Sequence, residues 1–320
     1  MLRSRPVTVR VDSVAVGLVA GYLADRMLGD PRRFHPVAGL GRILGGLERG
    51  LYRDSRTAGV AYTALTVGGA GIGSALLTRR LRPIEPVLVA AATWAALGGT
   101  TLAGVGGQMA GNLDGGNLDG ARALIPSLCG RDPNSLDADG MCRAAVESIA
   151  ENTSDATVAP VLWGAVAGVP GLVAYRTINT LDAMVGYRSP RYERFGWASA
   201  RLDDLANVIP ARVSGLLAVA LGPHPASAWA AWHRDARKHP SPNAGVVEAS
   251  FAGALGIGLG GRTVYAHGVE MRPQLGSGPA PTSADLREAV RLSRRVQSGA
   301  VAVGVGYRLL RRGLSRRNAG

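Results

Sequence analysis

Two long stretches without charged residues constrain what this chain of 320 residues can fold into. No Asp, Glu, Lys or Arg occurs from residue 58 to 78 or from 86 to 113. Each stretch is long enough to cross ~30 Å of hydrocarbon as a helix, and both are rich in small residues, which let helices pack closely in lipid. We predict a helical hairpin in the membrane, joined by a connection that holds Arg79, Arg80 and Arg82. The alternative is a buried hairpin inside a large soluble domain.

Three further apolar segments are shorter or interrupted. Residues 11–24 resemble a signal peptide, but no small-x-small cleavage site follows them, so we predict an uncleaved helix at the membrane edge. Residues 156–175 are interrupted by Pro160 and Pro170, which favours a broken or re-entrant segment. Residues 213–232 are uncharged but contain a Pro-His-Pro turn.

These segments together predict a mainly α fold: a polytopic α-helical integral membrane protein. We expect a single domain over residues 1–320, with roughly four or five membrane segments, some of them broken or re-entrant. Whether residues 298–310 also enter the membrane is open at this point. The arginine-rich tail that follows favours a cytoplasmic C-terminus.

The charge composition excludes one common nucleotide site. The net charge is +13, and Lys238 is the only lysine among 36 basic residues. No Gly-x-x-x-x-Gly-Lys motif surrounds it, so a P-loop is excluded. Basic loops beside membrane helices explain the positive charge, and no nucleic-acid-binding motif occurs. We therefore expect a lipid bilayer as a partner and no nucleic acid.

The first polar cluster lies in and after the first apolar segment. It holds Asp25, Asp30 and His35, and both Asp30 and His35 precede proline, which favours extended or turn backbone. We interpret the three as candidate substrate-binding residues. A plain surface loop is the alternative.

The second cluster is a stripe of three carboxylates. Glu147, Glu151 and Asp155 stand at i, i+4 and i+8, which places them on one face of a helix, and Asn152 lies beside them. Like charges at this spacing repel, so the stripe needs a cation, arginines or water. Hard oxygen ligands that face one way suit Mg²⁺. A solvated acidic face is the alternative.

The third cluster consists of acids, amides and basic residues beside apolar segments. Its members are Asn179, Asp182, Tyr187, Arg188, Arg201, Asp203, Asp204, Asn207 and Arg212. Asp203, Asp204 and Asn207 can share one side of a helix. Paired aspartates with arginine fit recognition of metal–phosphate groups or carboxylates, whereas an intrahelical ion-pair network is the competing interpretation.

The fourth cluster comprises His239, Ser241, Asn243 and Glu248, followed by a glycine-rich run. That run formally contains G-x-G-x-x-G at residues 256–261. No clear strand precedes it and no acid follows about twenty residues later, so a dinucleotide-binding fingerprint is rejected.

Taken in order, these clusters resemble the CobD/CbiB family, the adenosylcobinamide-phosphate synthases of cobalamin biosynthesis. The resemblance rests on DRMLGDPRRFHPVAGLG (25–41), GRD (130–132), VESIAENTSDATVAP (146–160), YRTINTLDAMVGY (175–187), FGWASARLDDLANVIPAR (195–212) and residues 239–261. It implies a multi-pass protein of the cytoplasmic membrane with its active site facing the cytoplasm. The implied reaction is ATP-dependent amide ligation of adenosylcobyric acid with (R)-1-amino-2-propanol or its O-phosphate, with Mg²⁺ and no prosthetic group. Other late cobalamin enzymes are possible partners.

We hypothesise individual roles on this basis. The carboxylates Glu147, Glu151, Asp155, Asp203 and Asp204 would hold Mg²⁺–ATP, with Glu151, Asp155, Asp203 and Asp204 as the metal ligands. Arg201 and Arg212 would stabilise transferred phosphate. The substrate-binding set would be Asp25, Asp30, His35, Asn152, Asn179, Asp182, Tyr187, Arg188, Asn207, His239, Ser241, Asn243 and Glu248. A small polytopic transporter and a non-catalytic scaffold for corrinoids are the alternative functions.

Overall fold

Helices form almost all of the regular structure in this computed structural model, which describes residues 12–31, 35–187, 189–265 and 268–317. The first seven are α1 (Ser13–Leu28), α2 (Pro36–Leu51), α3 (Arg56–Arg80), α4 (Glu85–Ala96), α5 (Gly99–Asp114), α6 (Leu118–Leu124) and α7 (Ala138–Thr153). The others are α8 (Ala159–Ala167), α9 (Val169–Leu181), α10 (Trp197–Ala206), α11 (Val208–Leu221), α12 (Pro225–Asp235), α13 (Ala244–Leu255) and α14 (Ser283–Arg317). The predicted mainly α fold is confirmed.

Within the described residues, two helical stretches are long and apolar enough to cross a membrane. They are Arg56–Arg80, which is α3, and Arg82–Asp114, which contains α4 and α5. A third is possible by length and composition if α10 and α11, bent by 43° at their junction, count as one span. The two uncharged stretches that the sequence singled out thus coincide with the helices of membrane-spanning length.

The weaker segments are less regular than single spans. Residues 13–24 lie in the 16-residue α1, which packs against α4. Residues 156–175 are divided between α8 and α9 at Gly168, whose φ of 66° favours glycine. Residues 213–232 are not one helix, because α11 ends at Leu221 and Pro225 begins α12. The count of four or five membrane segments stays a prediction.

The long C-terminal helix α14 organises the interior. It packs against α1, α5, α7, α8 and α11, and it includes residues 298–310. Leu292 and Val296 are buried with Phe251 of α13 in one apolar cluster. Every residue of α13 from 244 to 254 is buried, so this helix lies in the interior of the protein.

A β-hairpin interrupts the helices, and the sequence analysis missed it. Strands β1 (Leu259–Tyr265) and β2 (Gly268–Leu275) pair antiparallel, with an irregular register near Gly260. Gly260 has φ of 87°, and a Cβ there would lie 2.1 Å from the carbonyl oxygen of Pro273. Gly260 lies within the glycine-rich run that was rejected as a dinucleotide-binding fingerprint, and it permits this close strand pairing.

Candidate active site

An acidic cavity of about 230 Å³ lies where α7, α10, α11 and α13 meet. Five carboxylates line it: Glu151, Asp155, Asp182, Asp203 and Asp204. Hydroxyl and amide groups complete its polar wall: Ser154, Asn207, Ser241 and Asn243. Three of the four polar clusters found in the sequence thus converge on one cavity, although about 90 residues separate their ends.

Two π-helical turns aim acidic side chains at this cavity. The first, Ser154–Val158, follows α7 and holds Asp155. The second, Asp182–Gly186, follows α9 and begins with Asp182. A Cβ on Gly186 would lie 1.9 Å from Asp182 Oδ1, so the glycine leaves the space that this carboxylate occupies. Such single π-turns frequently mark functional sites, and here each of them holds a carboxylate that lines the cavity.

Asn207, at the bend between α10 and α11, orients Asp203. Its amide Nδ2 donates to Asp203 Oδ2 at 3.0 Å, and its Oδ1 accepts from the Tyr175 hydroxyl at 2.9 Å. Asn179, on α9, accepts at Oδ1 from Arg176 Nη1 at 2.9 Å. Asp203 Oδ1 is buried without a hydrogen-bond partner. A buried, orphaned carboxylate oxygen is costly, and it is a natural position for a cation.

The crowding of carboxylates raises the pKa of the acids in the cavity. Burial, followed by repulsion from Asp203, Asp204 and Glu151, raises the pKa of Asp182 to about 7. The pKa of Glu151 is raised by its depth in the protein and by Glu147, while Arg272 and Arg131 oppose the rise. The side chain of Glu151 is nevertheless exposed, because it opens on the cavity, so water in the cavity moderates the effect. The cavity thus holds more negative charge than its own walls neutralise.

A second, buried ionic cluster lies behind the cavity and holds Glu147. Its carboxylate pairs with Arg131 and accepts at Oε1 from the Gly260 amide at 2.7 Å. Glu147 therefore does not line the cavity with Glu151 and Asp155, and the proposed stripe of three is corrected to two. Glu147 lies one turn before Glu151 on α7, and the β-hairpin covers its side chain.

His239 and Glu248 belong to the same buried cluster. His239 Nε2 is 3.7 Å from Glu248 Oε1, and Arg272 of β2 lies 3.8 Å from that oxygen and contacts His239. Burial and the charge of Arg272 lower the pKa of His239 to about 4, so the ring is neutral at pH 7. Burial raises the pKa of Glu248 well above its ordinary value. His239 Nδ1 accepts from the Ser241 amide at 3.0 Å and so shapes the loop that follows.

That loop attaches an arginine to the cavity rim. Ser241 Oγ accepts at 3.1 Å from the amide of Ala244, the first residue of α13. Asn243 accepts at Oδ1 from Arg212 Nη1 at 2.7 Å and donates from Nδ2 to the Asp204 carbonyl at 2.7 Å. Arg212 is thereby fixed beside the acids without lining their cavity.

The residues of the first polar cluster lie apart from the acidic cavity and make contacts of their own. Asp25 Oδ2 accepts from the Thr100 amide at 3.2 Å and hydroxyl at 2.8 Å, at the start of α5. Asp30 lies 3.7 Å from His35. None of these three residues lines the acidic cavity within the described part of the chain. Arg176, which the sequence analysis did not single out, interacts electrostatically with both Asp30 and Asp155, so it connects the two regions.

Four further predicted residues lie outside the cavity or outside the described residues. Asn152 donates back to the Ser148 carbonyl at 3.0 Å, and Tyr187 is exposed against Tyr192. Arg201 is exposed and lies 3.7 Å from Asp204. The structure does not describe Arg188. The side chains of Asn152, Tyr187 and Arg201 do not contribute to the cavity wall, because each points along its own helix or into solvent.

The donor set suits Mg²⁺ better than a transition metal. No group of three or more His, Cys, Asp or Glu side chains within the described ranges is already gathered as a metal site. The acids of the cavity nevertheless offer oxygen ligands, and Asp203 Oδ1 among them has no hydrogen-bond partner. Mg²⁺ typically uses one or two carboxylates together with water and substrate phosphates, so a complete cage of side chains is not required.

Comparisons with known proteins agree on one family. The model of the family described as "CobD/Cbib protein" matches residues 18–293. The "Cobalamin biosynthesis protein CobD" of Mycobacterium tuberculosis strain CDC 1551 is 54% identical over 296 residues, which cover 91% of this chain and 95% of that protein. Its counterpart in Rhodobacter capsulatus is 43% identical over 302 residues, covering 91% and 94%. No solved structure matches the chain.

Proposed function

This chain belongs to the CobD/CbiB family and has a role in cobalamin biosynthesis, and we propose that it is the ligase that joins adenosylcobyric acid to (R)-1-amino-2-propanol or its O-phosphate. The proposed ligase uses ATP and Mg²⁺ and acts at the cytoplasmic face of the inner membrane. Helices of membrane-spanning length are consistent with that location.

The acidic cavity is the observation that carries this proposal. Five carboxylates face one small volume, and its described lining includes no Lys or Arg. Such a site repels a bare anion but accepts a divalent cation that brings phosphate with it. A stable apolar core or a simple surface loop does not concentrate acids in this way, because each uncompensated buried charge costs free energy.

The chemistry fits an acid-rich site, because it requires no protein nucleophile. In the proposed scheme a carboxylate oxygen of adenosylcobyric acid attacks the γ-phosphorus of ATP, the bond to the bridging oxygen breaks, and ADP leaves. The amine nitrogen then attacks the acyl carbon, phosphate leaves, and the nitrogen loses its proton to water. The products are the amide, ADP and phosphate. Catalysis of such phosphoryl transfer is mostly positioning and charge stabilisation.

Named residues supply those functions in our proposal. Glu151, Asp155, Asp203 and Asp204 hold Mg²⁺, which offsets phosphate charge when bound. Asn207 keeps Asp203 turned toward the cavity, and Arg212, held by Asn243, faces the phosphates from the rim. Asp182 and Asn179 are available to the amide groups of the corrinoid.

The test is turnover by the purified full-length protein in detergent. Adenosylcobyric acid, aminopropanol phosphate, Mg²⁺ and ATP are supplied, and mass spectrometry follows the corrinoid while ADP and phosphate are measured. We expect a corrinoid heavier by the amine minus water, with one ADP released for each. Asp203→Asn should abolish this turnover, whereas Asp119→Asn, a change at a fully exposed carboxylate, should leave it unchanged.

The alternative functions predict other results in the same assay. A non-catalytic scaffold binds the corrinoid and consumes no ATP. A transporter shows neither conversion nor ATP-dependent binding in detergent. Either result with correctly folded protein contradicts the ligase proposal.

A further inference from the structure

A second and larger cavity lies on the other side of the wall that bounds the acidic one. Its volume is about 670 Å³, within the range of small-molecule sites. The loop 239–243 alternates between the two: His239, Pro240 and Pro242 line this second cavity, whereas Ser241 and Asn243 line the acidic one. The two cavities are therefore separated by little more than the thickness of the chain.

The lining of the second cavity has the opposite charge. It includes Arg212, Arg237, His233 and the neutral His239, and its described residues include no carboxylate. Within the described residues, both hydrogen bonds of Arg212 are made by Nη1, so Nη2 and Nε remain for a ligand. Arginines in a fixed geometry are the usual partners of phosphate oxygens.

Aromatic rings form one side of this basic cavity. Trp232 and His233 line it, with ring centroids 5.8 Å apart, and Trp229 packs on both rings at 5.6 and 4.1 Å. A cluster braced in this way offers a preorganised face for a planar ligand. Bases stack on such faces with little dependence on their identity.

We propose that the basic cavity binds the base and the proximal phosphates of the nucleoside triphosphate, while the terminal phosphate reaches the acidic cavity. The inference rests on the proposed ligase function and adds a nucleotide subsite to it. Arg212 stands at the boundary and contacts the phosphates between the two cavities. The arrangement separates the charges of one ligand: arginines take the proximal phosphates, and the acids take the end that carries Mg²⁺.

The experiment uses photolabelling and equilibrium binding on the full-length protein in detergent. The labelling probe is 8-azido-ATP with Mg²⁺, and the labelled peptides are identified by mass spectrometry. Binding of mant-ADP is measured separately for the parent, Arg237→Gln, His233→Ala and the matched control Arg234→Gln. Arg234 lies on α12, as His233 does, but it pairs with Asp235 and does not line this cavity.

We expect labelling within residues 229–246 and a Kd for mant-ADP raised about tenfold by Arg237→Gln and severalfold by His233→Ala. Arg234→Gln should leave the Kd within twofold of the parent, and Arg237→Gln and His233→Ala should keep the parent's thermal transition. Inorganic triphosphate should lose less affinity than mant-ADP when His233 is changed, because it has no base to stack.

Other outcomes separate this inference from the ligase proposal. Unchanged mant-ADP binding in both variants, in a protein that still ligates, overturns the nucleotide subsite alone. Weakened binding of adenosylcobyric acid with unchanged mant-ADP assigns the basic cavity to the corrinoid and also overturns it. A parent protein that neither binds nucleotide nor turns over contradicts the subsite and the ligase together.

Discussion

Replacing Asp182 by asparagine should stabilise the protein at neutral pH while impairing its use of Mg²⁺. The pKa of Asp182 is raised from 3.8 to about 7 by burial and by the neighbouring acids. Between these two pKa values the folded protein therefore holds a proton that the unfolded chain has released. Stability contributed by this group falls as pH rises through that window and stays lower above it.

The size of the effect follows from the two pKa values. The rise from 3.8 to about 7 corresponds to ~4 kcal/mol, and water in the cavity reduces this to about 2 kcal/mol. For a protein of this size that is a rise of about 4 °C in Tm. The asparagine side chain of the Asp182→Asn variant does not titrate, so the variant should exceed the parent by that amount at pH 8 and by almost nothing near pH 4.

The assay is differential scanning fluorimetry in detergent, which uses the five tryptophans of the chain. Mg²⁺ should raise the Tm of the parent at pH 8 and have a smaller effect on the variant, because the variant lacks one of the five negative charges that face the cavity. Asp119→Asn, a change at an exposed carboxylate, is the control and should follow the parent at every pH. A Tm difference between Asp182→Asn and the parent that does not change from pH 4 to 8 would refute the reasoning.

Three further substitutions test separate parts of the account. Glu151→Gln should abolish ligation without affecting membrane insertion. Near-normal ADP release by a membrane-inserted Glu151→Gln variant would contradict this prediction. Glu147→Gln should destabilise the fold by about 3–5 kcal/mol, because it leaves the buried Arg131 without its carboxylate, and a Tm equal to the parent's would refute that role. Gly186→Ala should displace the Asp182 carboxylate and so raise severalfold the Mg²⁺ concentration for half-maximal turnover. The control is Gly39→Ala, because a Cβ at Gly39 meets no other atom. Equal Mg²⁺ dependence of the Gly186→Ala and Gly39→Ala variants would contradict the prediction.

Sequence patterns identified all five acids that line the cavity but not how they meet. Some of the site residues were recognisable because they are polar but lie beside apolar segments, where neither lipid nor an apolar core accounts for them. They include Asp155, Asp182, Asp203 and Ser241. Their convergence depends on the packing of α7, α10, α11 and α13, and on two π-helical turns that no simple spacing rule predicts. The i, i+4, i+8 pattern places Glu147 on the same helical face as Glu151, but it does not reveal that the β-hairpin covers Glu147 one turn earlier on α7.

Tertiary contacts explain the remaining differences. The β-hairpin at 259–275 begins within the glycine-rich run, where no strand was predicted, and it covers Glu147 by a backbone hydrogen bond from Gly260. Asn152 satisfies its amide within its own helix, which its place in an acidic run did not reveal. Arg176 went unnoticed because a single arginine in an apolar helix has no local pattern.

The central claim is that the carboxylate of the corrinoid is activated by phosphoryl transfer from ATP. The most direct measurement uses adenosylcobyric acid labelled with ¹⁸O in its free carboxylate, with mass spectrometry of the phosphate released during ligation. We predict one ¹⁸O atom in each phosphate, because the oxygen that attacks the γ-phosphorus leaves with it. Unlabelled phosphate accompanied by the amide product, or label appearing in AMP, would contradict it.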